Sequence, residues 1–122
     1  MAERAAKRHC RRYAIVYSAE LVAPEHPLNS VKYFGISHVA EQSANAVLTK
    51  RRKQHETAKD DLVFHVLLRK YPFRWRIEEE FHGSGNVGAW LDEREKSHIS
   101  NAGGVYQGVD MAPTTLNLTV GG

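Results

Sequence analysis

The period of the apolar positions changes several times along the chain, and each change marks an element. Tyr13-Ala14-Ile15-Val16-Tyr17 is a dense run of β-formers, which predicts a strand over residues 13–22. Ala23-Pro24-Glu25-His26-Pro27-Leu28-Asn29-Ser30 breaks it, because two prolines and Asn-Ser cannot continue a central strand. Val31 to Ile36 predicts a second strand, antiparallel to the first through that loop, with Tyr17 paired near Tyr33. From Ser37 to about residue 58 the period becomes helical, with Ala40, Ala44, Val47 and Leu48 on one stripe. Asp60-Asp61 is placed as an N-terminal cap for a second helix carrying Leu62, Val63, Val66 and Leu67, which Pro72 ends. Phe73, Trp75 and Ile77 alternate with Arg74, Arg76 and Glu78, a strand period again. Gly83-Ser84-Gly85-Asn86 reads as a turn, and residues 87–100 as a third helix with Leu91 and Ile99 inward. The result is an α+β layer: a small three-stranded antiparallel sheet flanked by about three helices.

Length and charge narrow the picture. The 122 residues fit one domain with one modest core: a polar, basic extension over 1–12 and a folded unit over 13–122. Net charge is +3 with a sequence pI of about 9.1, too small a total to imply nucleic acid by itself. Its distribution matters more, since Lys50-Arg51-Arg52-Lys53 concentrates base while Glu78-Glu79-Glu80 and Asp92, Glu93 and Glu95 concentrate acid. A lone cysteine, Cys10, excludes an internal disulfide and a Cys-rich zinc site. It points to a reducing intracellular setting: cytoplasm, nucleus, or a host's cytoplasm for a phage-encoded chain. No apolar run approaches the ~20 residues a bilayer requires, so no membrane partner is expected, and the first residues lack the apolar core of a signal peptide.

Three polar residues stand where core residues belong. Glu95 lies four after Leu91 and four before Ile99, on the apolar face of its helix. A carboxylate there costs several kcal/mol unless it is paired or binds a metal. It is either an internal partner of Arg51 or Arg94, an edge group reaching solvent, or a ligand. Arg51 and His55 extend the stripe of Val47 and Leu48, as a solvated basic face or as part of a site. Tyr17 and Tyr33 are core tyrosines or site tyrosines on the same grounds. The pairs Glu79/His82 and Glu95/His98 have the spacing of di-metal helix bundles, but Glu79 belongs to a strand pattern and four long helices are wanting.

Taken in order, these residues resemble the GIY-YIG nuclease superfamily. Tyr33-Phe34-Gly35, between Lys32 and Ile36-Ser37, looks like the second half-motif. Arg51-Arg52-Lys53-Gln54-His55 looks like the family's helix arginine with a histidine one turn on. Glu93-Arg94-Glu95-Lys96-Ser97-His98-Ile99 is similar to the setting of its metal-binding glutamate, and Leu116-Asn117-Leu118 to its closing segment. The first half-motif is degenerate: Tyr13 or Tyr17 can supply its tyrosine, and Tyr17 has the nearer spacing. Lys59 holds the place where some members carry a further histidine.

The resemblance implies an endonuclease that hydrolyses a DNA phosphodiester with one divalent ion, Mg²⁺ or Mn²⁺. Tyr17 or Tyr33 would be the base, with His55 a helper, since a hydroxyl beside a cation can serve as one. Arg51 would hold the scissile phosphate and Glu95 the metal. Gly35 would let the backbone pack close behind the site. Lys32, Arg52, Lys53, Lys59 and Asn117 would contact DNA. The alternatives are a non-catalytic nucleic-acid-binding module presenting Tyr71, Phe73 and Trp75, or a degenerate nuclease fold used for protein interaction.

Overall fold

A computed structural model describes residues 12–40, 43–83, 87–106 and 115–117. The N-terminal extension, except Arg12, and the 84–86 part of the expected turn lie outside them. The elements run β1 (Arg12–Leu21), β2 (Lys32–Ala40), α1 (Ala44–Glu56), α2 (Val63–Lys70), β3 (Phe73–Gly83) and α3 (Val87–Asn101). The three strands form one antiparallel sheet in the order β2-β1-β3, so the most apolar strand takes the centre. This is the expected α+β layer.

The pleat of β1 divides its side chains between two covering layers. Ile15 and Tyr17 face α1, packing with Ala44 and Val47. Further along that face, Ala19 and Leu21 meet Phe64 and Leu67 of α2. Ala14 and Val16 point the other way, onto Val87 and Leu91 of α3. Each layer is short, but β1 is sealed on both sides: Ala14 to Tyr17 and Ala19 are wholly buried.

Three expectations need correction. The second strand does not stop at Ile36. It continues to Ala40 because Ser37–Ala40 pair with Arg12–Ile15, whose edge away from β3 would otherwise lack a ladder partner. The first helix therefore starts at Ala44 rather than Ser37, with Ser43 at its cap, accepting from the Ala46 N–H at 3.2 Å. In the hairpin, Tyr17 lies opposite Gly35, and Tyr33 opposite Ala19. The two tyrosines still share a face as diagonal neighbours, with ring centroids 6.5 Å apart. Finally, Asp60-Asp61 does not cap the second helix. Leu62 is the cap residue and makes no side-chain cap bond, while Asp60 accepts from the Leu62 N–H at 3.1 Å and serves another partner.

β3 runs farther than its alternating part, through Glu78-Glu79-Glu80. A bulge opposite Val16/Tyr17 leaves Glu78 unpaired in the ladder. Its carboxylate accepts from the Ser18 hydroxyl at 2.7 Å and lies 3.7 Å from the Lys32 ammonium. The outer edge of β2 is closed by residues 115–117. Thr115 bridges Lys32 in parallel, and the Leu116 N–H donates to the Lys32 carbonyl at 2.9 Å.

Candidate active site

Tyr17 sits at the centre of the sheet under α1, where its ring crosses the backbone of β2. Gly35 makes that crossing feasible: a methyl there would lie 2.9 Å from Tyr17 Cε1 and closer still to Cζ and the hydroxyl oxygen. The hydroxyl so placed meets two residues one turn apart on α1. It is 2.6 Å from His55 Nε2, and it accepts from Arg51 Nε at 3.3 Å. The four-residue spacing of Arg51 and His55 brings both onto the face that covers β1.

His55 is buried, so the solvated-face reading does not hold for it, whereas Arg51 is half-buried and keeps a side toward solvent. A third side chain extends the arrangement. His55 Nδ1 is 2.7 Å from Nε2 of His65, a buried residue of α2, and His65 Nδ1 is 2.6 Å from Asp60 Oδ1. In the sequence Asp60 stands out only as a candidate helix cap and His65 not at all. The available signal was a histidine inside the apolar run Val63-Phe64-His65-Val66-Leu67, five residues after an aspartate.

Tyr33 contributes its ring. It stacks on Phe64 with centroids 4.1 Å apart and meets the His55 ring edge-on at 5.4 Å. Trp75 lies on the Tyr17 ring at 6.1 Å, with the Arg52 guanidinium 5.6 Å above its own ring. Trp75 and Phe73 are thus partly buried in the core, and Tyr71 is the exposed member of the expected aromatic platform.

Glu95 is buried, 5% exposed, in the row Val87, Leu91, Glu95, Ile99 of α3. Arg94 does not pair with it. The Arg94 guanidinium takes Glu79 at 2.8 and 3.0 Å, and His98 Nε2 closes on the same carboxylate at 2.6 Å. Glu79 on β3 is thereby taken up by both Arg94 and His98, and Glu95 has no hydrogen bond or ion pair among the described residues. Its charge is felt across the site, raising the pKa of both tyrosines, while Arg51 acts on it in return.

The electrostatics follow from burial. Burial pushes the Tyr17 hydroxyl well above its ordinary value, with Tyr33 adding to the rise and Arg51 opposing it, so the resting group is a neutral phenol. Tyr33 moves up for the same first reason, against the pull of Arg51. Burial lowers His55 to about 4, helped by Arg51 and His65 and opposed by Asp60, so at neutral pH it is an uncharged acceptor. Glu95 is raised by burial and by Asp92, against the pull of Arg51.

The structure brings together Tyr17, Tyr33, Gly35, Arg51 and His55, with Glu95 within electrostatic reach. The five residues expected at DNA are more dispersed. Arg52 is engaged by Glu56 at 2.9 Å, and Lys32 lies near Glu78. Lys53 and Lys59 are exposed, with no ion pair among the described residues. Asn117 is buried: its amide accepts from the Phe34 N–H at 2.9 Å and donates to the Phe34 carbonyl at 2.7 Å. Its side chain thus completes the ladder on the outer edge of β2.

A single carboxylate with no partner among the described residues suits Mg²⁺, which keeps several waters and binds through one or two carboxylates plus substrate phosphate. No cluster of three or more His, Cys, Asp or Glu side chains forms a cage among the described residues. No helix among them is long and apolar enough to cross a membrane. No family model matches the chain, and neither a curated protein nor a solved structure matches it.

Proposed function

We propose that this chain is a divalent-metal-dependent endonuclease that hydrolyses DNA phosphodiester bonds, with a site like that of the GIY-YIG superfamily. The observation that carries the reading is the Tyr17 hydroxyl held between a guanidinium and a neutral imidazole, with the buried residue Glu95, which has no hydrogen bond or ion pair among the described residues, in electrostatic reach. A packed core gains nothing from a lone buried carboxylate, and a pure binding surface has no use for one.

Tyr17 is the base in this reading, because a proton acceptor is attached to it at 2.6 Å. The Tyr33 hydroxyl makes no hydrogen bond among the described residues, so its part is to wall the site. Tyr17 is wholly buried in the substrate-free chain, under the half-buried Arg51. The Arg51–Tyr17 contact is long at 3.3 Å and costs little to break. Turning the guanidinium onto the scissile phosphate exposes the Tyr17 oxygen to the attacking water and places positive charge where the transition state needs it.

The water then gives its proton to Tyr17 as Tyr17 gives its own to His55 Nε2. Glu95 would hold the divalent ion, which supplies Lewis-acid stabilisation of the leaving oxygen. Lys53 and Lys59 would meet neighbouring phosphates, giving affinity that falls with salt and reads little sequence. The test compares Glu95→Ala and Arg51→Lys with the unaltered chain on plasmid DNA. Both variants should melt near the original temperature and lose cleavage; retained cleavage by Glu95→Ala removes the assignment.

A further inference from the structure

The chain of contacts leaving Tyr17 has a fixed direction. Arg51 stands at one end and can only donate; an ionised Asp60 stands at the other and can only accept. Between them lie Tyr17, His55 and His65, joined by contacts of 3.3, 2.6, 2.7 and 2.6 Å from Arg51 to Asp60. With both imidazoles uncharged, each ring donates from one nitrogen and accepts at the other. His65 therefore carries its proton on Nδ1, toward Asp60, and presents the Nε2 lone pair to His55. His55 must then carry its proton on Nδ1, leaving its Nε2 lone pair facing the Tyr17 hydroxyl.

The anchor of this polarity is held in place independently. Arg69 donates to the Ala58 carbonyl at 2.9 Å and to the Asp60 carbonyl at 3.0 Å, clamping the connection between α1 and α2. The hydrogen bond from His65 holds the Asp60 carboxyl below its usual range, so it is anionic at neutral pH. The chain also leads outward. Tyr17, His55 and His65 are buried, whereas the Asp60 side chain is 50% exposed.

We propose that Asp60 and His65 are positioning residues for the proposed cleavage, fixing His55 as the Nδ1–H tautomer and receiving the proton that Tyr17 releases. The inference rests on the nuclease reading and extends it by two residues. In the step, one O–H bond of the water breaks and its proton goes to the Tyr17 oxygen. The Tyr17 O–H proton goes to His55 Nε2, and the His55 Nδ1 proton to His65 Nε2. The products are a hydroxide at the phosphate and a His65 imidazolium paired with the Asp60 carboxylate. Hydroxide bonds to phosphorus as the P–O bond to the leaving oxygen breaks, and that oxygen takes a proton from solvent. The stored proton then retraces the chain and leaves from Tyr17 to water, restoring both tautomers.

The relevant charged and titratable neighbours are Tyr33 on β2, Arg51 on α1, Arg69 on α2, Glu95 on α3 and Asp60 in the connection. Of these, Asp60 alone carries negative charge within hydrogen-bond distance of a ring nitrogen in the chain. A carboxylate that merely joined α1 to α2 would affect melting but not the His55 proton.

Nitrogen-15 NMR of the imidazoles tests the arrangement without substrate, and single-turnover cleavage of plasmid DNA in Mg²⁺ tests its role. In the unaltered chain, His55 should be protonated on Nδ1 and bare on Nε2. Asp60→Ala should fold, lose that tautomer preference, and cut with kcat lowered at least ~10-fold, out of the ~10²–10⁴ a whole acid–base contribution supplies. KM should stay within about twofold, and Asp60→Glu should restore part of the rate. His55 protonated on Nε2 in the unaltered chain, or Asp60→Ala cutting at the original rate, overturns the proposal while leaving the nuclease reading standing. An unaltered chain that shows the Nδ1–H tautomer but cuts no DNA removes the nuclease reading, and the relay's role with it.

Discussion

Gly35→Ala adds one methyl group at the closest approach of β2 to the site. The new carbon would lie 2.9 Å from Tyr17 Cε1, with Cζ and the hydroxyl oxygen nearer. Restoring ordinary contact requires the ring to retreat by about 1 Å. The ring has little room to do so, because Trp75 lies against it and the Ile15, Ala44 and Val47 cluster surrounds it. Two effects compete in stability. Alanine in place of a strand glycine gains about 0.5–1 kcal/mol of backbone entropy, while overpacking a filled core costs about 1–3 kcal/mol. At the middle of both ranges overpacking wins by about 1 kcal/mol, so the melting temperature should fall by roughly 4 °C. The effect on chemistry should be larger. A 1 Å shift stretches the 2.6 Å contact between the Tyr17 hydroxyl and His55 toward about 3.6 Å, outside useful hydrogen-bond range. Cleavage should drop by ~10²-fold or more even where the variant is fully folded. Calorimetry and single-turnover cleavage on the same preparation measure both effects. A Gly35→Ala chain that melts at or above the original temperature and still cuts normally would refute the claim that this glycine exists to admit Tyr17.

Four further outcomes follow from the same geometry. Glu95 is raised by burial, so its ionised form costs stability once pH exceeds its ordinary value; Glu95→Gln should raise the melting temperature at pH 7 while abolishing cleavage. Millimolar Mg²⁺ should stabilise the unaltered chain but not this variant, by melting-curve comparison. His55 is lowered from 6.5 to about 4, so the unfolded chain takes up its proton first as pH falls; up to about 3 kcal/mol of stability should be lost between pH 6.5 and 4, and His55→Phe should remove that part of the acid sensitivity. Asn117→Ala strands the buried N–H and C=O of Phe34 and should cost about 2–4 kcal/mol by chemical denaturation.

What could be read from the sequence was what local periodicity controls. The β-former run Tyr13–Tyr17 announced the central strand. The four-residue steps of α3 exposed Glu95 as a polar intruder, and the step from Arg51 to His55 put both on the buried stripe. What stayed hidden depended on partners far along the chain. Ser37 and Ser43 are equally able to cap a helix, and only pairing with Arg12–Ile15 makes Ser37–Ala40 a strand. The Glu78-Glu79-Glu80 run looks like a solvated end, yet the first two are held in β3 by Ser18, Arg94 and His98. Asn117 is expected at DNA, but its side chain is bonded to Phe34, 83 positions earlier. His65 looks like an apolar-face histidine until α2 folds against α1.

The central claim is that Tyr17, Arg51, His55 and Glu95 form a hydrolytic site rather than a packed interior. The most direct measurement is conversion of supercoiled plasmid by the purified chain in Mg²⁺ and in EDTA. The account predicts nicked or linear product with Mg²⁺ and none with EDTA. Intact plasmid under both conditions, from a chain that is folded and binds DNA, would contradict it.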